Sequence, residues 1–191
     1  EGLEAISERT GLECFGVLPY LADVRRLPAE DALGVDTYER RPGAHIRVVV
    51  PVISRIANFD DVDPLAAEPD VEVVMVQHGD PLPGDADLVL LPGSKSTVGD
   101  LRFLKTQGWD VDIEAHLRRG GAVLGLCGGY QMLGRLVRDP DGVEGSPAEE
   151  PGLGLLDVET VISGEKHLER VEGREHHSGL EIQGFEMRMG R

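Results

Sequence analysis

Cysteine is scarce: the 191 residues include two, too few for a disulfide framework in a chain of this length. Basic residues are outnumbered as well, with 19 Lys and Arg against 35 Asp and Glu, a formal net charge of −16. That balance repels a phosphate backbone and an anionic membrane surface, so neither nucleic acid nor a membrane is an expected partner. No apolar run approaches the length of a membrane span, and no basic segment followed by an apolar one opens the chain. A secretory signal is therefore not expected, and a reducing cytoplasm is the expected compartment. No His, Cys and carboxylate cluster has metal-ligand spacing, so no metal is expected. Gly93-Ser94-Lys95-Ser96 lacks the first glycine and the spacing of a phosphate-binding loop. There is no internal repeat.

What is present is a hydrophobic content of 40%, enough to bury the core of one full domain with a fragment left over. Glu1 is not an initiator methionine, and the first segment reads as the middle of something longer. Ser7-Glu8-Arg9-Thr10-Gly11 reads as a helix end with Gly11 as its cap, followed by a short strand over 14–18. The charged stretch from Tyr20 to Gly43, with its arginines and two prolines, suits a linker or surface helix. The expected domain boundary lies near Pro42-Gly43, giving segments 1–42 and 43–191.

From Ile46 the pattern alternates as a parallel sheet with crossover helices demands, which predicts an α/β fold. Strands are expected at 46–52, 71–77, 87–91 and 122–126, and helices at 98–106 and 111–119. A polar stretch around Asn58 to Pro64 marks a turn or helix start. A further helix is expected from Gly128 to about Val137, then a loop over 139–154 and strands near 156–162 and 180–187.

The most informative stretch is Gly125-Leu126-Cys127-Gly128-Gly129-Tyr130-Gln131. An apolar run stops at a cysteine flanked by glycines, and a helix pattern begins. This is the pattern of a nucleophile elbow, in which a strained strand-to-helix turn needs small neighbours. The matching chemistry is acyl transfer by a thiolate, with backbone N–H groups at the helix start favouring the thiolate and holding an oxyanion. Cys14 lacks such surroundings and is expected to be a buried filler. The segment Leu91-Pro92-Gly93-Ser94-Lys95-Ser96-Thr97 closes the third strand, where open parallel sheets bind ligands. If strands three and four are neighbours, a Gly93 or Ser94 N–H can face that of Gly128. The alternative for this segment is a plain turn with Ser96 or Thr97 as N-cap.

The ordered set LLPGSKST, LGLCGGYQMLG, DPDGVEG and GLGLLDVET, with IANFDDVDPL before it and GFEMRMGR after it, resembles the glutaminase domain of the cobyric acid synthase family. The resemblance covers 46–191, while the opening TGLECFGVLPYLADVRRLPAEDAL is similar to the tail of that family's ATP-binding synthetase domain. It implies a flavodoxin-like, class I glutamine amidotransferase-like domain with a mostly parallel sheet flanked by helices. It further implies Cys127 as the nucleophile toward glutamine, and the amides of Gly93 and Gly128 as oxyanion donors. Gln131 and Ser94 are implied as glutamine-binding residues. The implied partners are glutamine and, through the synthetase domain, a corrinoid. No cofactor is implied for this chain, with ATP and Mg²⁺ expected in the synthetase domain.

Two departures stand out. The family's proton-carrying histidine lies in a Tyr-Leu-His-Gly type segment that is expected beyond Arg191, so the domain reads as truncated at its C-terminus. Arg188 stands where an EIH-type motif carries histidine. His176 and His177 fall in a polar loop signature, and His45, His78, His116 and His167 have no constellation around them. Two other readings are a glutaminase serving a cell-wall lipid precursor and a glutaminase-like binding module without turnover.

Overall fold

The structure, a computed structural model, describes residues 2–17, Tyr38, Arg41 and 43–190. The chain divides into two compact units, 1–31 and 32–191. The expected linker over 20–43 lies almost wholly outside the described residues, as does one side of the expected boundary at Pro42-Gly43.

In the first unit, α1 (Gly2–Thr10) ends at Gly11, whose φ of 68° closes the helix through Gly11 N–H to Ser7 O at 2.9 Å. The expected strand over 14–18 does not form in its described part, because residues 11–17 carry no regular structure. Cys14 is half-buried rather than a core filler, with Leu12, Phe15 and Val17 exposed around it. A strand needs a partner to take its N–H and C=O groups, and these residues have none among the described residues of this unit.

The second unit is built on a four-stranded parallel sheet in the order β3-β1-β4-β6, with β1 Ile46–Pro51, β3 Val71–Val76, β4 Leu88–Leu91 and β6 Ala122–Gly125. The central strands are continuous β-branched or leucine runs, as strands buried on both faces must be. Alternation divides them between two cores. Val49, Val89 and Leu91 join Leu101, Leu104, Trp109 and Ile113 of helices α3 (Thr97–Thr106) and α4 (Trp109–Arg118). Val48, Val50, Val73 and Leu90 point the other way, onto Val62, Leu65 and Ala66. That second face is covered by a 3-10 turn, Phe59–Val62, and by α2 (Asp63–Ala67), which occupy the stretch read as a turn or helix start.

His116 is buried against the start of β6, its Nε2 2.9 Å from Ala122 O. A Cβ on Gly121 would fall 2.0 Å from that ring. His116 is thus a satisfied core residue, and it sits at the opposite end of β6 from Cys127.

Two expectations for the C-terminal part change. The helix beginning at Gly128 is only α5, Gly128–Met132, and the chain turns into β7, Leu136–Asp139. Gly134 packs so closely on the neighbouring chain that a Cβ there would lie 2.7 Å from Val158 O, and Arg135 N–H bonds that same oxygen at 2.8 Å. Strand pairing thereby replaces helix continuation. The expected loop over 139–154 contains β8, Ala148–Pro151, antiparallel to β7. β9 (Glu159–Arg174) runs parallel to β7, and β10 (Glu181–Gly190) returns along β9 as a long hairpin. His176 and His177 lie in its turn. β8 is held from α3 by charge: Glu150 pairs with Lys105 and Arg102, each at 2.8 Å.

Candidate active site

The sheet brings the predicted segments together. β4 and β6 are neighbours in register, Leu91 opposite Gly125, so the turns that follow both strands meet at their carboxyl ends. After Pro92 the chain forms β5 (Gly93–Ser94), which pairs with the short β2 (Ile56–Ala57). Gly93 lies opposite Ala57, and Ser94 lies against Gly128.

Each elbow glycine is required by contact. A Cβ on Gly125 would sit 2.5 Å from Tyr130 N, one on Gly129 2.2 Å from Leu91 O, and one on Gly128 2.9 Å from Ser94 Cβ. None of these gaps admits a methyl group. Between them Cys127 has φ 49° and ψ −108°, a backbone region that favours glycine. The strain is held by flanking bonds: Leu126 N–H to Leu91 O at 2.9 Å, Gly129 N–H to Leu126 O at 2.8 Å and Gln131 N–H to Cys127 O at 3.2 Å. Cys127 is exposed and unpaired. A strained, exposed cysteine is the geometry of a residue positioned for reaction. The macrodipole behind it is small, because α5 has five residues.

Ser94 is anchored rather than free. Its hydroxyl donates to Asp100 Oδ2 at 2.5 Å and accepts from Ser96 N–H at 2.9 Å. Asp100, fully buried on α3, also takes the Ser54 hydroxyl at 2.6 Å and the Arg55 N–H at 3.0 Å. Ser96 is the N-cap of α3, but its side chain makes no capping bond. Glu144 does that work instead, accepting from Val98 N–H at 3.4 Å.

Gln131 lies one turn beyond Cys127. Its Oε1 is 3.2 Å from Thr97 Oγ1, and it borders a cavity of about 560 Å³ shared with Tyr130, Glu159, Thr160, Arg188 and Gly190. Arg188 donates to Gly190 O and pairs with Glu186. Glu144, Thr97 and Asp100 were not singled out in the sequence as site residues. Glu144 does belong to the DPDGVEG motif, which was the one available signal. Burial raises the Glu144 carboxyl above its ordinary range; bonds from Thr97 and Val98 oppose this, and the Asp139 charge adds to it. The six histidines make no hydrogen bond to Cys127 among the described residues. No group of three His, Cys, Asp or Glu is placed to hold a metal among those residues. Among the described residues no helix is long and apolar enough to cross a membrane.

The parallel α/β fold that carries this glycine-wedged cysteine turn at its carboxyl edge is shared with solved structures. It aligns with the structure of PurLQS from Thermotoga maritima at a TM-score of 0.53 and 20% identity, over 76% of this chain and 67% of that one. A crystal structure of a glutamine amidotransferase aligns at 0.50 and 16% identity, over 74% and 70%. The chain belongs to the CobB/CobQ-like glutamine amidotransferase domain family, whose model matches residues 47–191. It is 57% identical over 190 residues to a cobyric acid synthase of Paracoccus denitrificans (strain Pd 1222), and 56% identical over 191 residues to one of Jannaschia sp. (strain CCS1). All of this chain is covered in both alignments, and 39% of each relative. The chain thus spans about two-fifths of the length of the curated relatives it matches.

Proposed function

We propose that this chain is the glutaminase part of a cobyric acid synthase, releasing ammonia from glutamine for ATP-dependent amidation of adenosylcobyrinic acid a,c-diamide. The observation that carries the reading is the Cys127 turn: an exposed thiol, held at positive φ by three glycines that tolerate no Cβ, beside Gly93 and Ser94. The names of the relatives support the corrinoid substrate. In this reading ATP and Mg²⁺ are used by a synthetase part outside these 191 residues. Two free cysteines suit a reducing cytoplasm.

In this reading the Cys127 thiolate adds to the side-chain amide carbon of glutamine, forming a carbon–sulfur bond. The carbonyl oxygen gains the charge and faces the amides of Gly128 and Gly93. Collapse breaks the carbon–nitrogen bond, and the nitrogen takes a proton and leaves as ammonia. Water then cleaves the thioester, returning glutamate and the thiol. Gln131 and Ser94 hold the substrate. The proton transfers call for a histidine, which the reading places in the longer chain beyond Arg191.

Ammonia release from glutamine tests this, measured for the 191-residue chain and for one extended to include a later histidine. The extended chain is expected to be far more active, and Cys127→Ala in it to lose roughly a thousandfold or more. Equal, substantial rates for the two lengths overturn the histidine assignment. An unchanged rate in Cys127→Ala overturns the glutaminase reading.

A further inference from the structure

Thr97 has one hydroxyl proton and two acceptors beside it. Its Oγ1 lies 3.1 Å from Glu144 Oε1 and 3.2 Å from Gln131 Oε1, and the residue is 2% exposed. A hydroxyl donates one bond and accepts up to two, so both oxygens cannot be served at once. The loop that brings Glu144 here is itself fixed: buried Asp139 takes the N–H groups of Val143 and Glu144, each at 2.8 Å, and Gly142 turns at φ 67°. The carboxylate is therefore delivered to this point rather than left in solvent.

An ionised carboxylate only accepts, and a bond to a charged acceptor is the stronger one. The Thr97 proton then goes to Glu144. Thr97 has only lone pairs left for Gln131, and the carboxamide satisfies that contact only by turning its Nε2 toward Thr97, since the network decides the orientation of such a group. Its oxygen then lies on the side of Gly190, with which Gln131 shares the 560 Å³ cavity. An acceptor there suits an ammonium group, which has three N–H donors and no acceptor.

We infer that Glu144 is a positioning residue that, through Thr97, fixes the Gln131 carboxamide with its oxygen toward the cavity, making Gln131 an acceptor for the α-ammonium group of the amino-acid substrate. The inference rests on the reading that glutamine binds beside Gln131. Glu144 itself does not touch the substrate, and its effect is confined to the end of glutamine that carries the α-amino group.

Alkylation of Cys127 by two chloroketones tests it: the chloroketone analogue of glutamine and the same compound without its α-amino group. The thiolate displaces chloride and forms a thioether, so no proton carrier is required. The wild-type chain is expected to react faster with the amino compound. In Glu144→Gln and Thr97→Val that preference falls roughly threefold to tenfold, while Thr97→Ser, which keeps the hydroxyl, retains it. Iodoacetamide reactivity of Cys127 and the circular dichroism spectrum stay unchanged in all three, which separates positioning from unfolding. A wild-type preference in both Glu144→Gln and Thr97→Val, alongside its loss in Gln131→Ala, overturns the inference and leaves the glutaminase reading standing. Equal reaction of the wild type with both chloroketones overturns the assignment of Gln131 as a glutamine-binding residue, and the inference with it.

Discussion

The Ser94 hydroxyl and the Asp100 carboxylate lie 2.5 Å apart, and that carboxylate also holds Ser54 and Arg55. One buried acid on α3 therefore ties the segment after β1 to the segment after β4, and the second of these lies against Gly128. The placement of the backbone opposite Cys127 depends on a residue that itself stays away from the thiol.

Asp100→Ala tests that dependence. The substitution leaves two hydroxyls and one backbone N–H, on exposed Ser54 and Arg55 and half-buried Ser94, without their charged acceptor. A hydrogen bond to a charged group contributes about 1.5–3 kcal/mol. Relaxation and water entry offset part of the sum, so urea denaturation is expected to show a loss on the order of 3 kcal/mol. Cys127 alkylation by iodoacetamide should persist in the folded variant, because the elbow bonds to Leu91 and Leu126 do not involve Asp100. A loss below about 1 kcal/mol would show that the three bonds are replaceable by solvent.

Glu144 yields a dependence on pH with a definite sign. Its carboxyl is raised in the folded chain, first by burial, against bonds from Thr97 and Val98 and with help from the neighbouring Asp139. A group raised on folding contributes stability below its unfolded pKa and loses that contribution as pH rises through the folded value. Glu144→Gln is neutral throughout and escapes this loss. The difference in Tm, variant minus wild type, is expected to move in the variant's favour as pH rises upward from the ordinary carboxylate range. A difference that stays flat or moves the other way would mean that bonds to the ionised carboxylate outweigh its burial.

The central strands were legible because strands buried on both faces are near-continuous apolar runs, as in Val48-Val49-Val50 and Leu88-Val89-Leu90-Leu91. The elbow was legible too, since Gly125, Gly128 and Gly129 stand at the places where a Cβ has no room. The supporting carboxylates were not. Asp100 and Glu144 are two of 35 acidic residues, and only tertiary packing distinguishes a buried carboxylate from a solvated one. β8 escaped for a related reason. Ala148-Glu149-Glu150-Pro151 has no apolar alternation, and what holds it includes the Glu150 pairs with Lys105 and Arg102 from α3. The reach of α5 was overestimated because helical periodicity continues past Met132, whereas the chain there is taken over by bonds such as Leu153 N–H to Met132 O.

Strain at Cys127 supplies the last prediction. A non-glycine residue at φ 49° and ψ −108° costs roughly 1–3 kcal/mol, a cost that persists only where surrounding contacts hold it. Glycine adopts that conformation freely but loses about 0.5–1 kcal/mol through the entropy of the unfolded chain. Cys127 is exposed, so removing its side chain leaves no cavity. Cys127→Gly is therefore expected to stabilise the fold by about 1 kcal/mol in thermal or urea denaturation, while abolishing alkylation at this position. Cys127→Ala, which keeps the Cβ and the strain, is expected to stay within about 0.5 kcal/mol of wild type. A Cys127→Gly variant no more stable than Cys127→Ala would mean that the turn is relaxed as it stands, and that its conformation carries no stored cost for the thiol's exposure.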